Sequence, residues 1–289
     1  YEVYAILLLI SSYSLPLAVS KLMSALVAKG EKRNAERYFR CALVFAVVVG
    51  GVVAVVTFIF AGPIAGDIMK SPLSTLSLKV LAPAIFVVAV MGVLRGYFQG
   101  MGSMVPTAVS QVVEQIINAL VSVGAAYVLF NYGELAVRIT HKKGLEHAYG
   151  AAGGTLGTLF GAIAGLITLV ILLVFLKKRF VPDFKRTENR NKVDSIGVIY
   201  KTLLFTIVPV ILSTAVYNIS MVLDQAVFNR IMASQGRTSD EYNALWGIFS
   251  GKYRLLTNVP ISVASAMVAS TVIGISAAVA VKNRREVVR

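Results

Sequence analysis

Long apolar runs alternate with short polar segments along the chain. The hydrophobic runs cover residues 4–28, 42–61, 75–95, 107–130, 151–176, 202–226 and 255–281. Runs of about 20 apolar residues match the thickness of the bilayer hydrocarbon. A segment in lipid must also satisfy its own backbone hydrogen bonds, which a helix does internally. The pattern therefore predicts an all-α, polytopic membrane helical bundle with seven visible transmembrane helices.

The polar segments predict which side of the membrane each loop faces. Segments 29–41, 96–106, 177–201 and 282–289, together with Arg95, contain 18 Lys and Arg residues, whereas the alternate segments 62–74, 131–150 and 227–254 contain 8. Loops rich in Lys and Arg face the cytoplasm. The first run is therefore expected to cross from outside to inside.

Composition removes several other classes of function. The net charge of +14 would suit nucleic acid, but the basic residues lie in short loops rather than in a stripe with aromatic residues, so no nucleic-acid partner is expected. A single cysteine, Cys41, and two histidines in the segment 140–150 give no metal-ligand pattern. We expect no metal, no cofactor and no enzymatic centre, since neither a nucleophile with its base nor a phosphate-binding loop is visible.

The first residue, Tyr1, already falls at the edge of an apolar run, without a charged segment and cleavage site before it. We expect the chain to be a fragment that lacks its first helix. The basic segment 177–195 is the best boundary between two halves. The interpretation is an N-terminal lobe over 1–176 with five helices, a basic cytoplasmic linker over 177–201, and the start of a C-terminal lobe over 202–289 with two helices.

Two segments resemble each other across these halves. Residues 15–28 (LPLAVSKLMSALVA) and 259–272 (VPISVASAMVASTV) both place proline after an aliphatic residue and continue with small and aliphatic residues. They lie six spans apart and run in the same direction, as expected for parallel repeats related by an axis along the membrane normal. Plain helix packing would also select such small residues. Prolines inside spans, at 16, 83, 209 and 260, indicate bent helices that either pack or line a cavity.

Ionisable and amide residues inside the spans are the candidate functional residues, because such groups need a partner or a cavity in the membrane. In the fourth span, Ser110–Glu114 and Gln111–Gln115 are i, i+4 pairs predicted to form one polar stripe. Lys21 can either snorkel or bind an anion. Asp224 and Arg254 stand at the same outer level, either as a simple ion pair or as functional groups. Glycines 150, 154, 157 and 161 indicate close helix contact rather than a phosphate loop.

Three segments carry a family resemblance. Residues 94–115 (LRGYFQGMGSMVPTAVSQVVEQ), 14–43 and 208–225 resemble the MATE/oligosaccharidyl-lipid/polysaccharide exporter superfamily, in its branch of polysaccharide biosynthesis proteins, stage V sporulation protein B and MurJ-like lipid II flippases. The resemblance implies a fold of roughly fourteen helices in two pseudo-symmetric lobes, of which this chain would hold helices two to eight.

The resemblance also implies a function. The expected activity is that of a flippase which moves a lipid-linked oligosaccharide or peptidoglycan precursor across the bacterial cytoplasmic membrane by alternating access. Its partners would be an undecaprenyl-pyrophosphate-linked substrate, membrane lipids and envelope-synthesis enzymes. Alternatives are a cation-coupled antiporter for drugs or small solutes of the same superfamily, and a non-transporting envelope-synthesis scaffold. The candidate substrate-binding residues are Lys21, Arg95, Gln111, Glu114, Gln115 and Arg254, and the candidate ion-coupling or gate residues are Asp224 and Asn218.

Overall fold

The computed structural model describes residues 14–68, 72–141, 144–186 and 193–280, and every regular element in these ranges is helical. The longer helices are α1 (Ser14–Ala28), α2 (Lys32–Ile59), α3 (Thr75–Gly100), α4 (Val105–Thr140), α5 (Leu145–Arg186), α6 (Ile196–Ser234), α7 (Ser239–Ile248) and α8 (Arg254–Ala280). Short helical turns, Ala61–Pro63, Ile64–Ile68 and Pro72–Ser74, lie between α2 and α3, and a π-helical segment, Phe249–Tyr253, joins α7 to α8. The all-α prediction is confirmed.

The helices extend beyond the apolar runs that predicted them. Helix α2 begins ten residues before its run, and α4 continues ten residues past its own. Apolar residues mark only the part of a helix that faces lipid or core, whereas the backbone remains helical into the polar flanks. Four helical segments, in α2, α3, α4 and α5, are long and apolar enough to cross a membrane. Residues 1–13 of the first run lie outside the described residues.

The segment 227–254 was predicted as a loop, and this prediction is wrong. The structure continues α6 to Ser234 and then forms the ten-residue helix α7 and the π-helical segment. The polar start of α7 (SDEYN) breaks the apolar pattern and conceals an amphipathic helix of only three turns. This correction matters because α7 supplies part of a cavity described below.

The turn between α3 and α4 is shorter than the sequence suggested. It covers residues 101–104 of the polar segment 96–106, and Pro106 already lies in the first turn of α4, where proline is well tolerated. Gly102 has a φ of +84°. The N–H of Gly102 donates to the Gln99 carbonyl at 2.9 Å, and the N–H of Ser103 donates to the Phe98 carbonyl at 3.0 Å. This pairing is the glycine-based helix end known as the Schellman motif, and it turns the chain sharply into α4.

Helices α4 and α5 form an antiparallel hairpin whose contact surface is made by glycines. Gly153, Gly157 and Gly161 of α5 face the backbone of α4, and a Cβ added at Gly161 would lie 2.7 Å from the carbonyl oxygen of Glu114. The predicted close contact is confirmed at Gly157 and Gly161, and Gly150 abuts the ring of Phe130. At Gly154 an added Cβ would meet nothing within 4 Å, because a spacing of four residues places the Cα of Gly153 rather than that of Gly154 on the contact face.

This hairpin is longer than a bilayer is thick. Helix α4 has 36 residues and α5 has 42, which correspond to roughly 54 and 63 Å at 1.5 Å per residue. The hydrocarbon core of a bilayer measures about 30 Å. The predicted loop at 131–150 is therefore mostly helix, with His141 at the end of α4 in a left-handed conformation (φ 54°) and His147 in the first turn of α5.

A buried cluster joins the first described helices to α6. Residues from α1, α2 and α3 pack together with residues from the first half of α6. Its large members include Leu15, Val19, Met23, Val93, Ile199, Leu203 and Ile207. Helix α8 also contacts α1, so the two helices that carry the repeated proline-containing segments lie against each other. Pro83, Pro209 and Pro260 lie inside α3, α6 and α8.

Candidate functional site

The polar residues of α3 and α4 meet in a mostly buried ion pair. Nη2 of Arg95 lies 2.6 Å from Oε2 of Glu114, and Nε of Arg95 donates to Oγ of Ser110 at 3.2 Å. The side chains of Arg95 and Glu114 are only 13% and 19% exposed, and Ser110 is fully buried. We call these three residues the Arg95 cluster. Each charge is compensated by the other, which is the condition under which charges persist inside a membrane protein.

Neighbouring groups fix the geometry of the Arg95 cluster. The Ser110 hydroxyl donates to the Thr107 carbonyl at 2.8 Å, and Nε2 of Gln99 donates to Oγ1 of Thr107 at 3.4 Å. Helix α5 comes close on the other side, since a Cβ at Gly165 would lie 3.4 Å from Cβ of Glu114. Helices α3, α4 and α5 thus meet at the ion pair. Because Gly165 of α5 has no side chain, there is space for Glu114 between the helices.

The predicted polar stripe of α4 is divided in the structure. Ser110 and Glu114 turn towards Arg95, whereas Gln111 and Gln115 are exposed. Successive helix residues are rotated by about 100°, so two i, i+4 pairs offset by one residue face different surroundings. The interpretation of one continuous stripe is therefore wrong. Lys21 is exposed on α1, and its backbone carbonyl accepts a hydrogen bond from the Ser24 hydroxyl at 3.0 Å.

A cavity of about 660 Å³ lies between the C-terminal part of α6, which is predicted to face outward, helix α7, the π-helical segment and the start of α8. We call it the outer cavity. Its polar lining consists of Ser220, Asp224, Arg254, Thr257 and Asn258. Asp224 and Arg254, predicted to stand at the same level, therefore line one cavity. Asn218 lies two turns earlier on α6, and its side chain is outside the part of the chain that the structure describes.

Aromatic rings form one wall of the outer cavity. Phe228, Trp246, Phe249 and Tyr253 follow one another with ring centroids 5.3, 5.4 and 5.6 Å apart. An apolar and aromatic lining with a few polar groups, in a volume of about 300–1,000 Å³, is typical of sites for small molecules. The arrangement can hold a ligand that has both an apolar surface and anionic or hydroxyl groups.

Two of these features were not predicted from the sequence. Arg95 lies six residues before the turn and Glu114 ten residues after it, so an offset of four residues separates them across the hairpin. An arginine side chain is long enough to span that offset. Counting residues on both sides of the turn could therefore have identified the pair. Predicting the aromatic wall would have required recognising that residues 239–248 form helix α7. Among the described residues, no group of three metal-ligating side chains is present.

The helices, their apolar surfaces and the buried ion pair define a polytopic α-helical membrane protein. The chain belongs to the polysaccharide biosynthesis protein family, whose model matches residues 1–272. This finding confirms the family assignment made from the quoted motifs.

Curated relatives from Bacillus subtilis (strain 168) agree with the family. Stage V sporulation protein B is 25% identical over 260 residues, which cover 87% of this chain and 45% of that protein. The lipid II flippase MurJ is 27% identical over 282 residues, covering 92% of this chain and 48% of that protein. The chain therefore spans about half the length of the curated relatives it matches. No solved structure gives a significant match.

Proposed function

We propose that this chain is part of a flippase that moves a lipid-linked oligosaccharide or peptidoglycan precursor across the bacterial cytoplasmic membrane. The family and the relative named as a lipid II flippase support a transporter of this group. The outer cavity is the observation that carries the proposal. Its lining brings a carboxylate, a guanidinium and an amide beside aromatic rings, at the ends of α6 and α8 that are predicted to face outward.

The physical requirement for such a transporter is a polar path for a charged headgroup. Moving a carboxylate-sized ion into hydrocarbon costs on the order of 20 kcal/mol in the idealised limit. A lined cavity replaces lost water with fixed polar groups, while the lipid tail remains in the bilayer. Arg254 is the residue we assign to the pyrophosphate, because a guanidinium binds phosphate oxygens with two parallel hydrogen bonds. Asp224 and Asn218, which lie on the same helix, are assigned to a gate that opens towards the pyrophosphate site.

The remaining candidate residues divide by their surroundings. Lys21, Gln111 and Gln115 are exposed within the described part of the chain and are assigned to contacts with the headgroup during its passage. Arg95 and Glu114 are already engaged with each other. We assign them to the path only in a state in which the headgroup competes for Arg95.

The test uses the full-length protein in vesicles with a labelled undecaprenyl-pyrophosphate-linked sugar. Arg254→Ala is expected to lower the rate of transfer by about 10- to 100-fold, which corresponds to the loss of hydrogen bonds to a charged group. Arg254→Lys keeps the positive charge and is expected to lose less. Arg237→Ala is the matched control, because Arg237 is 55% exposed and pairs with Glu241 outside the cavity.

The same assay separates the alternatives. If Arg254→Ala transfers substrate at the parental rate while it remains folded, the assignment of the outer cavity is wrong. If the parental protein exchanges drugs for protons but moves no lipid-linked sugar, the antiporter is correct instead. A protein that moves neither, and whose cavity residues can all be replaced without a growth defect, is a scaffold.

A further inference from the structure

The start of α2 holds the residues that lead into α6. Oδ1 of Asn34 accepts a hydrogen bond from the backbone N–H of Asp194 at 3.1 Å, and the Tyr38 hydroxyl donates to Oδ2 of Asp194 at 3.2 Å. Asn34 and Tyr38 are 4% and 6% exposed. We call Asn34, Tyr38 and Asp194 the inner latch. It joins positions about 160 residues apart, across the segment that separates the two predicted lobes.

Further contacts fix the latch from both sides. Nδ2 of Asn34 donates to Oε2 of Glu31 at 3.1 Å, so both ends of the amide are used. Ser195 follows Asp194 and caps α6, since its hydroxyl accepts from the N–H of Val198 at 3.4 Å. The first turn of α6 is thus attached to α2 as its helix begins. Leu203, two turns further on, is buried in the cluster formed with α1 and α2.

The opposite end of α6 has different surroundings. Leu223, Val227 and Ile231 are 59%, 54% and 50% exposed, and all three line the outer cavity. One helix is therefore packed against α1 and α2 near the Lys- and Arg-rich loops, while its other end lines the outer cavity. A helix fixed at one end and lining a cavity at the other is suited to a transporter that opens its two sides in turn.

We propose that the inner latch is the contact that holds the cytoplasmic side closed, and that it breaks each time the transporter opens inwards. The proposal rests on the alternating-access function proposed above. Asn34, Tyr38 and Asp194 are positioning residues in it, because they set which side is open and do not bind the substrate. A ligand or mutation can shift such an equilibrium only through contacts that differ between the two states, and the latch is a contact of this kind.

The first experiment measures accessibility and needs no knowledge of the substrate. Single cysteines replace Leu203, at the closed inner end, or Val227, in the outer cavity, in full-length protein without other cysteines. Tyr38→Phe removes one hydrogen bond of the latch. A typical hydrogen bond changes an equilibrium by about five-fold. With Tyr38→Phe, we therefore expect labelling of Leu203→Cys from the inside to rise about five-fold, and labelling of Val227→Cys from the outside to fall.

The opposite signs at the two ends distinguish the proposal from simple loosening. A contact that only stabilises the fold would, when removed, increase labelling at both positions or at neither, and either result would overturn the proposal. Val198→Cys is the matched control, because Val198 is already 49% exposed at the inner end of α6. Its labelling should not change.

The second experiment locks the latch. Asn34→Cys and Asp194→Cys are bridged with a short, reducible bifunctional thiol reagent, and transfer of the lipid-linked sugar is measured before and after reduction. The expected result is a loss of at least ten-fold that reduction restores. The control bridges Glu36→Cys and Arg40→Cys, an exposed i, i+4 pair within α2, and should transfer at the unbridged rate.

Undiminished transfer in the bridged Asn34–Asp194 protein would show that the latch stays closed throughout the cycle. A different failure, in which the parental protein moves no lipid-linked sugar, would refute the flippase. The labelling experiment would still decide the latch in that case, because accessibility is measured without substrate.

Discussion

Arg95 and Glu114 show how surroundings decide what a charged residue does. As isolated sequence positions, they are an arginine near the cytoplasmic end of one span and a glutamate within the next. In the structure they form a mostly buried pair with Ser110 between them. A guanidinium that is engaged by a carboxylate at 2.6 Å must release it before binding a phosphate. The immediate role supported by the contacts is to fasten α3 to α4.

If the pair fastens the two helices, removing one partner should lower the free energy of unfolding strongly, and replacing both partners should change it little. Glu114→Ala leaves the Arg95 charge buried and unpaired, which typically costs about 3–5 kcal/mol, whereas apolar replacement of a whole buried pair is often neutral. Thermal unfolding in detergent should therefore show a large loss of stability for Glu114→Ala.

The double variant Arg95→Met, Glu114→Leu is the matched comparison and should recover most of that loss. Glu36→Ala removes the partner of the exposed Arg40 and should change the unfolding temperature little, because exposed pairs contribute about 0–1 kcal/mol. Equal losses for the buried and exposed pairs would contradict the fastening role of the Arg95 cluster.

Among the helices, the α4–α5 hairpin depends on where side chains are absent. Ser122 of α4 donates to the carbonyl of Gly154 at 2.8 Å, so the backbones are within reach of a single short side chain. Small residues at a helix interface allow close backbone approach in membranes, where lipid gives helices little hydrophobic reason to associate. The same closeness brings α5 against the Arg95 cluster, so the hairpin and the ion pair support each other.

Substitution of neighbouring glycines tests this packing. Gly161→Ala would place a Cβ 2.7 Å from the Glu114 carbonyl oxygen, and such overpacking typically costs about 1–3 kcal/mol. A Cβ at Gly154 would meet nothing within 4 Å. Gly154→Ala therefore serves as the control, with an unchanged or slightly higher unfolding temperature because alanine favours helix. If both variants unfold at the same temperature, the hairpin does not depend on the close approach at Gly161.

At the scale of the whole molecule, the apolar pattern predicted the helical fold because it reports burial in lipid directly. It did not predict where the helices end. Polar residues such as Lys32 and Thr140 occur inside helices that extend into water as well as at helix ends, so they do not mark a boundary. It also missed α7, whose polar start conceals its aromatic residues, such as Trp246. The latch at Asp194 was beyond sequence reasoning altogether, because nothing local to Asp194 indicates Tyr38 as its partner.

The length of the α4–α5 hairpin has a consequence for the cell surface. Helix α4 continues ten residues past its apolar run, which corresponds to about 15 Å at 1.5 Å per residue. In this part Tyr132 packs against Tyr149 at a centroid distance of 5.7 Å. By the orientation predicted from the charges, this end of the hairpin stands outside the cell. An epitope inserted between His141 and Gly144 should be recognised on intact protoplasts and leave transport unchanged. The same insertion at Gly102, in the turn beside the Arg95 cluster, should be hidden from the antibody until the membrane is opened.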